Sequence, residues 1–211
     1  MSSSYHHGDL REALLETAGN LVAERGVDGW SVREASARVG VSASAAYYHF
    51  ASRDDLLTAL SIRALNRLGE ALREATESAG GGDVLARLCA YARCYVRWAC
   101  DEPAAAQLAF SPARQRQTGT VDPHPHQVLD DELDRLVESG TLPRQSRPGA
   151  DFLVWSAVHG LAELAHLNLV RGNGPTDLDL LSDRLVRATM YGLRDEHSAP
   201  IPAVGSNHTE A

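Results

Sequence analysis

Residues Ser31 to Phe50, SVREASARVGVSASAAYYHF, constrain the fold more than any other stretch of the chain. Ser31 and Glu34 stand at the spacing of a capping pair, in which the hydroxyl and the carboxylate each accept a backbone N–H at the start of a helix. Ala35 and Val39 then repeat apolar character at one-turn spacing, and Gly40 is a stop signal. Ser42 can cap a second helix. The turn between the two helices is therefore only about three or four residues long, the length of a helix-turn-helix. The segment 31–50 predicts such a motif, with the second helix as the element that enters a DNA major groove.

The flanking sequence has the helical period throughout, so the expected class is all-α with about nine helices. Leu10, Leu14, Leu15, Ala18, Leu21 and Val22 trace one stripe between the cap candidate Asp9 and the stop Gly26. Ser52 opens a long helix with Leu56, Leu57, Leu60, Ala64, Leu65, Leu68 and Leu72 on one face, broken by the glycines at 80–82. Further helices are expected from Asp83, after Pro103, from Val128 to Gly140, over 152–170 and over 178–193. The segment 111–126 reads as a loop. The resulting division is a tail at 1–8, a three-helix DNA-binding domain at 9–52, a helical domain at 53–194, and a second tail at 195–211.

The formal net charge is −8, and phosphate neutralisation normally supplies much of the affinity for nucleic acid. The local balance is different. Residues 31–53 hold three Arg and one Glu, so any DNA contact relies on a small basic face. All 20 basic residues are Arg, whose planar fork suits guanine and phosphate. The longest uncharged apolar run, 152–162, is well short of the ~20 residues of a membrane span. The N-terminus carries no secretory pattern, so the cytoplasm is the expected location. Cys89, Cys94 and Cys100 lie on different faces of one helical stretch and read as small core residues.

Leu14, Ala18, Gly26, Ser31, Val32, Val39, Gly40, Val41, Ser42, Leu56 and Leu57, together with YYHF at 47–50 and Arg53, resemble the N-terminal domain of the tetracycline-repressor (TetR) family. YVRWACDEPAAAQLAF at 95–110 and WSAVHG at 155–160 resemble the subgroup named for a Trp-His-Gly motif in its C-terminal domain. The resemblance implies a homodimeric, ligand-responsive transcriptional regulator, a repressor that binds a palindromic double-stranded DNA operator and is released by a small-molecule inducer. It implies base contacts from Arg33, Ala43, Ser44 and Ala45, phosphate contacts from Tyr47, Tyr48, His49 and Arg53, and a place for Ser42 on the same DNA-binding surface. Ala45 stands where Thr is frequent and Ala46 where Leu is usual, so base readout should be sparse, with Arg33 and Ser44 as its polar readers. The inducer cavity is expected among the C-terminal helices, walled by Tyr91, Tyr95, Trp98, Phe110, Trp155 and His159.

Two other classes compete with this reading. His159, Glu163 and His166 share one helix face at i, i+4 and i+7, a spacing able to hold a metal, although a structural or pocket role for His159 outweighs it. His6 with His7 and His124 with His126 are weaker signals, in a tail and a loop. No metal site and no cofactor are expected, and no nucleophile–base set or phosphate loop marks an enzyme. The alternative to a regulator is a helical ligand- or metal-binding protein that has lost DNA binding, a reading favoured by the acidic head and the alanines of the second helix.

Overall fold

A computed structural model describes residues 7–80, 83–111, 120–170 and 175–195. Every regular element among them is helical: α1 (His7–Arg25), α2 (Val32–Val39), α3 (Ala43–His49), α4 (Arg53–Ser78), α5 (Ala86–Asp101), α6 (Pro103–Ala109), α7 (Pro125–Glu138), a 3-10 turn (Arg144–Ser146), α8 (Ala150–His166) and α9 (Pro175–Asp195). The all-α expectation holds. No helix of the described residues is long and apolar enough to cross a membrane.

Serine hydroxyls start the helices of the head. Ser31 Oγ accepts Glu34 N at 3.2 Å, Ser42 Oγ accepts Ala45 N at 3.2 Å, and Ser52 Oγ accepts Asp55 N at 3.0 Å. Only half of the expected Ser31–Glu34 exchange forms. The Glu34 carboxylate instead pairs with Arg25 at 2.8 Å and Arg38 at 3.6 Å, because two guanidiniums outcompete one backbone amide. Gly40 ends α2 at φ 83°, a conformation that costs glycine nothing.

Several boundaries differ from the expected ones. Helix α1 begins at His7, so Asp9 lies inside it rather than at the cap position. Helix α7 begins at Pro125, whose fixed φ suits a first helical position; residues 124–126 are thus a helix start rather than loop. Helix α8 stops at His166, where Asn168 at φ 56° turns the chain, so the expected continuation to 170 fails. The tails and residues 112–119 of the expected loop lie outside the described residues, apart from positions 7 and 8 in α1 and Asp195 at the end of α9.

Two hydrophobic cores organise these helices. The first gathers Leu14, Ala18, Leu21, Trp30, Ala35, Ala46, Phe50 and Leu57 with Leu108 from α6. The second gathers Leu68, Leu72, Tyr91, Tyr95, Leu129, Leu133, Val158 and Met190. Helix α4 contributes to both. Its Leu56, Leu57 and Leu60 close the head, and Leu68 and Leu72 close the body. Between them, Gly69 lies so close to the segment before α7 that a Cβ would overlap the carbonyl oxygen of Pro123. Gly69→Ala should therefore cost about 1–3 kcal/mol through forced displacement of that segment. A urea midpoint equal to that of the native chain would refute the close packing.

Candidate DNA-binding surface and aromatic site

The packing of α3 decides which of its residues can face DNA. Ala46 is 1% exposed and sits in the head core with Phe50, which leaves Ser44, Tyr47 and Tyr48 outward and Ala43, Ala45 and His49 half-buried. Ala46 is thus a packing residue; the plain reading surface reduces to Ala43 and Ala45. Ser42 is exposed, and its oxygen accepts the cap bond, which leaves its hydroxyl proton free to be donated elsewhere. The rings of Tyr48 and His49 meet edge-on with centroids 5.4 Å apart.

The three arginines of residues 31–53 have separate employments. Arg38 is bidentate to Glu24 at 2.9 and 3.0 Å. Arg53 donates from Nη2 to the carbonyl of Val27, stacks its guanidinium over the Trp30 ring at 5.0 Å, and comes within 3.6 Å of Asp28. The expected phosphate group is therefore also a pin between the start of α4 and the α1–α2 connection. Arg33 is exposed and has no ion pair among the described residues. A further basic residue emerges only from the fold. Exposed Arg11 lies over the Phe50 ring at 5.1 Å and lines, with Tyr47, Tyr48, His49 and Thr58, an open concavity of about 790 Å³. No local motif marks Arg11; its role is visible only once α1 and α3 are packed together.

In the body, the structure brings all six expected aromatic-site residues into one cluster. The fully buried Tyr95 is the hub, with ring centroids 6.4 Å from Tyr91, 6.4 Å from Trp98, 5.8 Å from Phe110 and 6.2 Å from His159. Trp155 stacks on His159 at 5.1 Å and 14°. Tyr95 Oη lies 2.9 Å from His159 Nδ1, and Tyr91 Oη donates to the carbonyl of Pro125 at 3.2 Å. Burial pushes both phenols above their ordinary range, so they remain protonated hydrogen-bonding groups. Trp98, Phe110, Trp155 and His159 are half-buried. Helix α6 ties this cluster to the head: Leu108 is buried in the head core, while Phe110, two residues on, stands 5.3 Å from His159.

The cysteines do not form a reactive set. Burial raises the Cys89 thiol to about 11 and pushes Cys94 and Cys100 upward in the same direction. The spacing of His159, Glu163 and His166 does not yield a metal site. Glu163 and His166 are exposed, and His159 turns its Nδ1 to Tyr95. The group of three whose ligand atoms do approach, within 4.8 Å of one another, is His126, Asp130 and Asp151.

A capped helix-turn-helix head, continuous through α4 with an all-helical body that holds an aromatic site, defines a DNA-binding transcriptional regulator. Residues 14–60 match the bacterial regulatory proteins of the tetR family, and residues 88–189 match the tetracyclin repressor-like C-terminal domain. The chain belongs to the TetR family of transcriptional regulators. The second match covers the C-terminal half without singling out the Trp-His-Gly subgroup. Among solved structures, a protein of unknown function from Rhodococcus sp. RHA1 is 26% identical, with a TM-score of 0.77 over 92% of this chain and 100% of the other. The TetR-family regulator PfmR from Thermus thermophilus is 23% identical, with a TM-score of 0.59 over 85% and 98%. RolR, solved in complex with resorcinol, is 19% identical, with a TM-score of 0.60 over 94% and 98%. No curated protein matches the sequence.

Its contacts with Val27, Trp30 and Asp28 separate Arg53 from the other expected phosphate contacts. Arg53→Ala should lower head stability by about 1–3 kcal/mol, the range for a lost charged hydrogen bond and cation–π contact, as well as weakening DNA binding. An unchanged melting temperature in Arg53→Ala would show that the pin contributes nothing.

Proposed function

We propose that this protein is a homodimeric repressor whose grip on a palindromic operator is released when a small molecule enters the aromatic site. Residues 9–52 serve as the head and 53–194 as the effector and dimerisation body. The observation that carries the reading is the path of α6, which ends with Leu108 in the core that positions α3 and Phe110 in the ring cluster. Rearrangement of the rings around Phe110 therefore shifts a side chain on which the head is packed. For the ligand to release DNA, it must favour the body conformation in which the two heads no longer match the groove spacing.

On the operator, Arg33 and Ser44 read base edges, with Ser42, Ala43 and Ala45 beside them. Tyr47, Tyr48, His49, Arg53 and Arg11 hold phosphates. Replacing Tyr47 and His49 with Ala should weaken binding to all sequences about equally. Arg33→Ala should in addition relax base preference by about 1–3 kcal/mol at one position. A salt-sensitive gel shift with DNA upstream of the protein's own coding region tests the repressor reading. Absence of a shift there, and of any palindrome enriched from random DNA, would favour the ligand-binding protein without DNA affinity.

Two features support the remaining parts. The ring cluster offers flat apolar walls with the Tyr95–His159 pair as its polar tip, which suits a small planar molecule bearing a hydroxyl; RolR, of like fold, is solved with resorcinol. Helices α8 and α9 expose Phe152, Leu153, Leu164, Leu180 and Tyr191, interleaved with Ser156, Gly160, Ala188 and Gly192. Large apolar groups beside small ones allow two copies of this face to interlock about a two-fold axis. The protein acts by binding rather than by catalysis, and works in the cytoplasm, where its DNA is. Light scattering should give twice the 22.7 kDa chain mass, and Ala188→Arg should yield monomers that no longer shift a palindromic operator. A dimeric Ala188→Arg protein would place the interface elsewhere.

A further inference from the structure

The geometry points to a divalent-cation site at the junction of α7 and α8, formed by His126, Asp130 and Asp151. This site is separate from both the aromatic cluster and the DNA-binding head. His126 and Asp130 stand at i, i+4 on α7, and Asp151 lies in the first turn of α8, so the set joins two elements. The three side chains are half-buried, with 34%, 28% and 13% of their surface exposed, which leaves an entry path without leaving them fully solvated.

The decisive detail is how the carboxylate oxygens are divided. Arg147, between the two helices, takes Oδ1 of Asp130 at 2.7 Å and approaches Oδ1 of Asp151 at 3.6 Å, while its Nε holds Asp134 at 2.6 Å. The opposite oxygens face the imidazole. His126 Nε2 is 2.9 Å from Asp151 Oδ2 and 3.9 Å from Asp130 Oδ2. Two ligands at about 2.1 Å from a common ion are separated by about 3.0–3.4 Å. Of the three edges, His126–Asp151 at 2.9 Å is already formed, His126–Asp130 at 3.9 Å needs less than about 1 Å, and the carboxylate–carboxylate edge, within 4.8 Å, closes as the ion draws the two oxygens together. Arg147 then acts as the group that orients ligating carboxylates from behind, a recurrent arrangement at metal sites.

Charge supports the same conclusion. Three carboxylates against one guanidinium leave two formal negative charges, which a divalent ion balances. One imidazole nitrogen with two carboxylate oxygens suits a first-row ion such as Zn²⁺ rather than a soft, thiolate-seeking one. On binding, the Nε2 hydrogen bond to Asp151 Oδ2 breaks: the neutral imidazole carries its proton on Nδ1 and the Nε2 lone pair bonds the ion. The bound ion would staple α7 to the start of α8, next to Phe152, whose ring lies 5.6 Å from His126 on the exposed α8 face.

Calorimetric titration of the full, tag-free chain with Zn²⁺ tests the site. The expected result is one tight equivalent per chain and a raised melting temperature. His126→Gln and Asp130→Asn should each weaken that equivalent at least tenfold and lose the metal-dependent rise in melting temperature. Arg147→Lys should weaken it less, by loss of orientation. Absence of a stoichiometric equivalent overturns the proposal. So does unchanged affinity in both His126→Gln and Asp130→Asn, which would assign the ion to other histidines. Asp151→Asn provides a third variant should either of the first two fail to fold.

Discussion

The structure depends on the division of one helix between two cores. The 26-residue α4 is held at its start by head side chains and over its second half by body side chains, so neither half of the protein can adjust its packing without leaning on the other. Close-packed interiors respond to strain by switching arrangement rather than by deforming smoothly. A helix common to two such interiors transmits that choice along its length. Helix α6 adds a second, much shorter link, with Ala104 and Leu108 on the head core and Ala106, joined by Phe110 just past its end, against the body core.

This arrangement places the chemistry where it can matter. The buried phenols of Tyr91 and Tyr95 are satisfied by a carbonyl and an imidazole, so the core around them is polar without being strained. The half-buried rings of Trp98, Phe110, Trp155 and His159 sit farther out, packed on one another around this buried pair.

Much of this was legible in the chain. The serine caps, Gly26 and Gly40, the YYHF segment and the apolar stripes define the helices of the head and the family, because these signals are local and physically specific. The six residues that the resemblance assigns to a cavity wall do come together, as rings packed on one another. What escaped was tertiary. The burial of Ala46 and the stacking of Arg11 on Phe50 appear only when helices meet. The inward turn of Arg53 depends on a backbone carbonyl, which carries no sequence signature. Asp151 is 25 residues from its partner His126, a pairing that no spacing in the sequence marks.

The choice of serine as the cap of α3 has an electrostatic side. An aspartate would satisfy the same amide, but it would set a negative charge at the exposed start of the helix. Ser42 satisfies it with a neutral oxygen, and no acidic residue occupies the first turn. In a chain with a net charge of −8, whose residues 31–53 hold only three arginines, the cap thus adds no further negative charge to the small basic face.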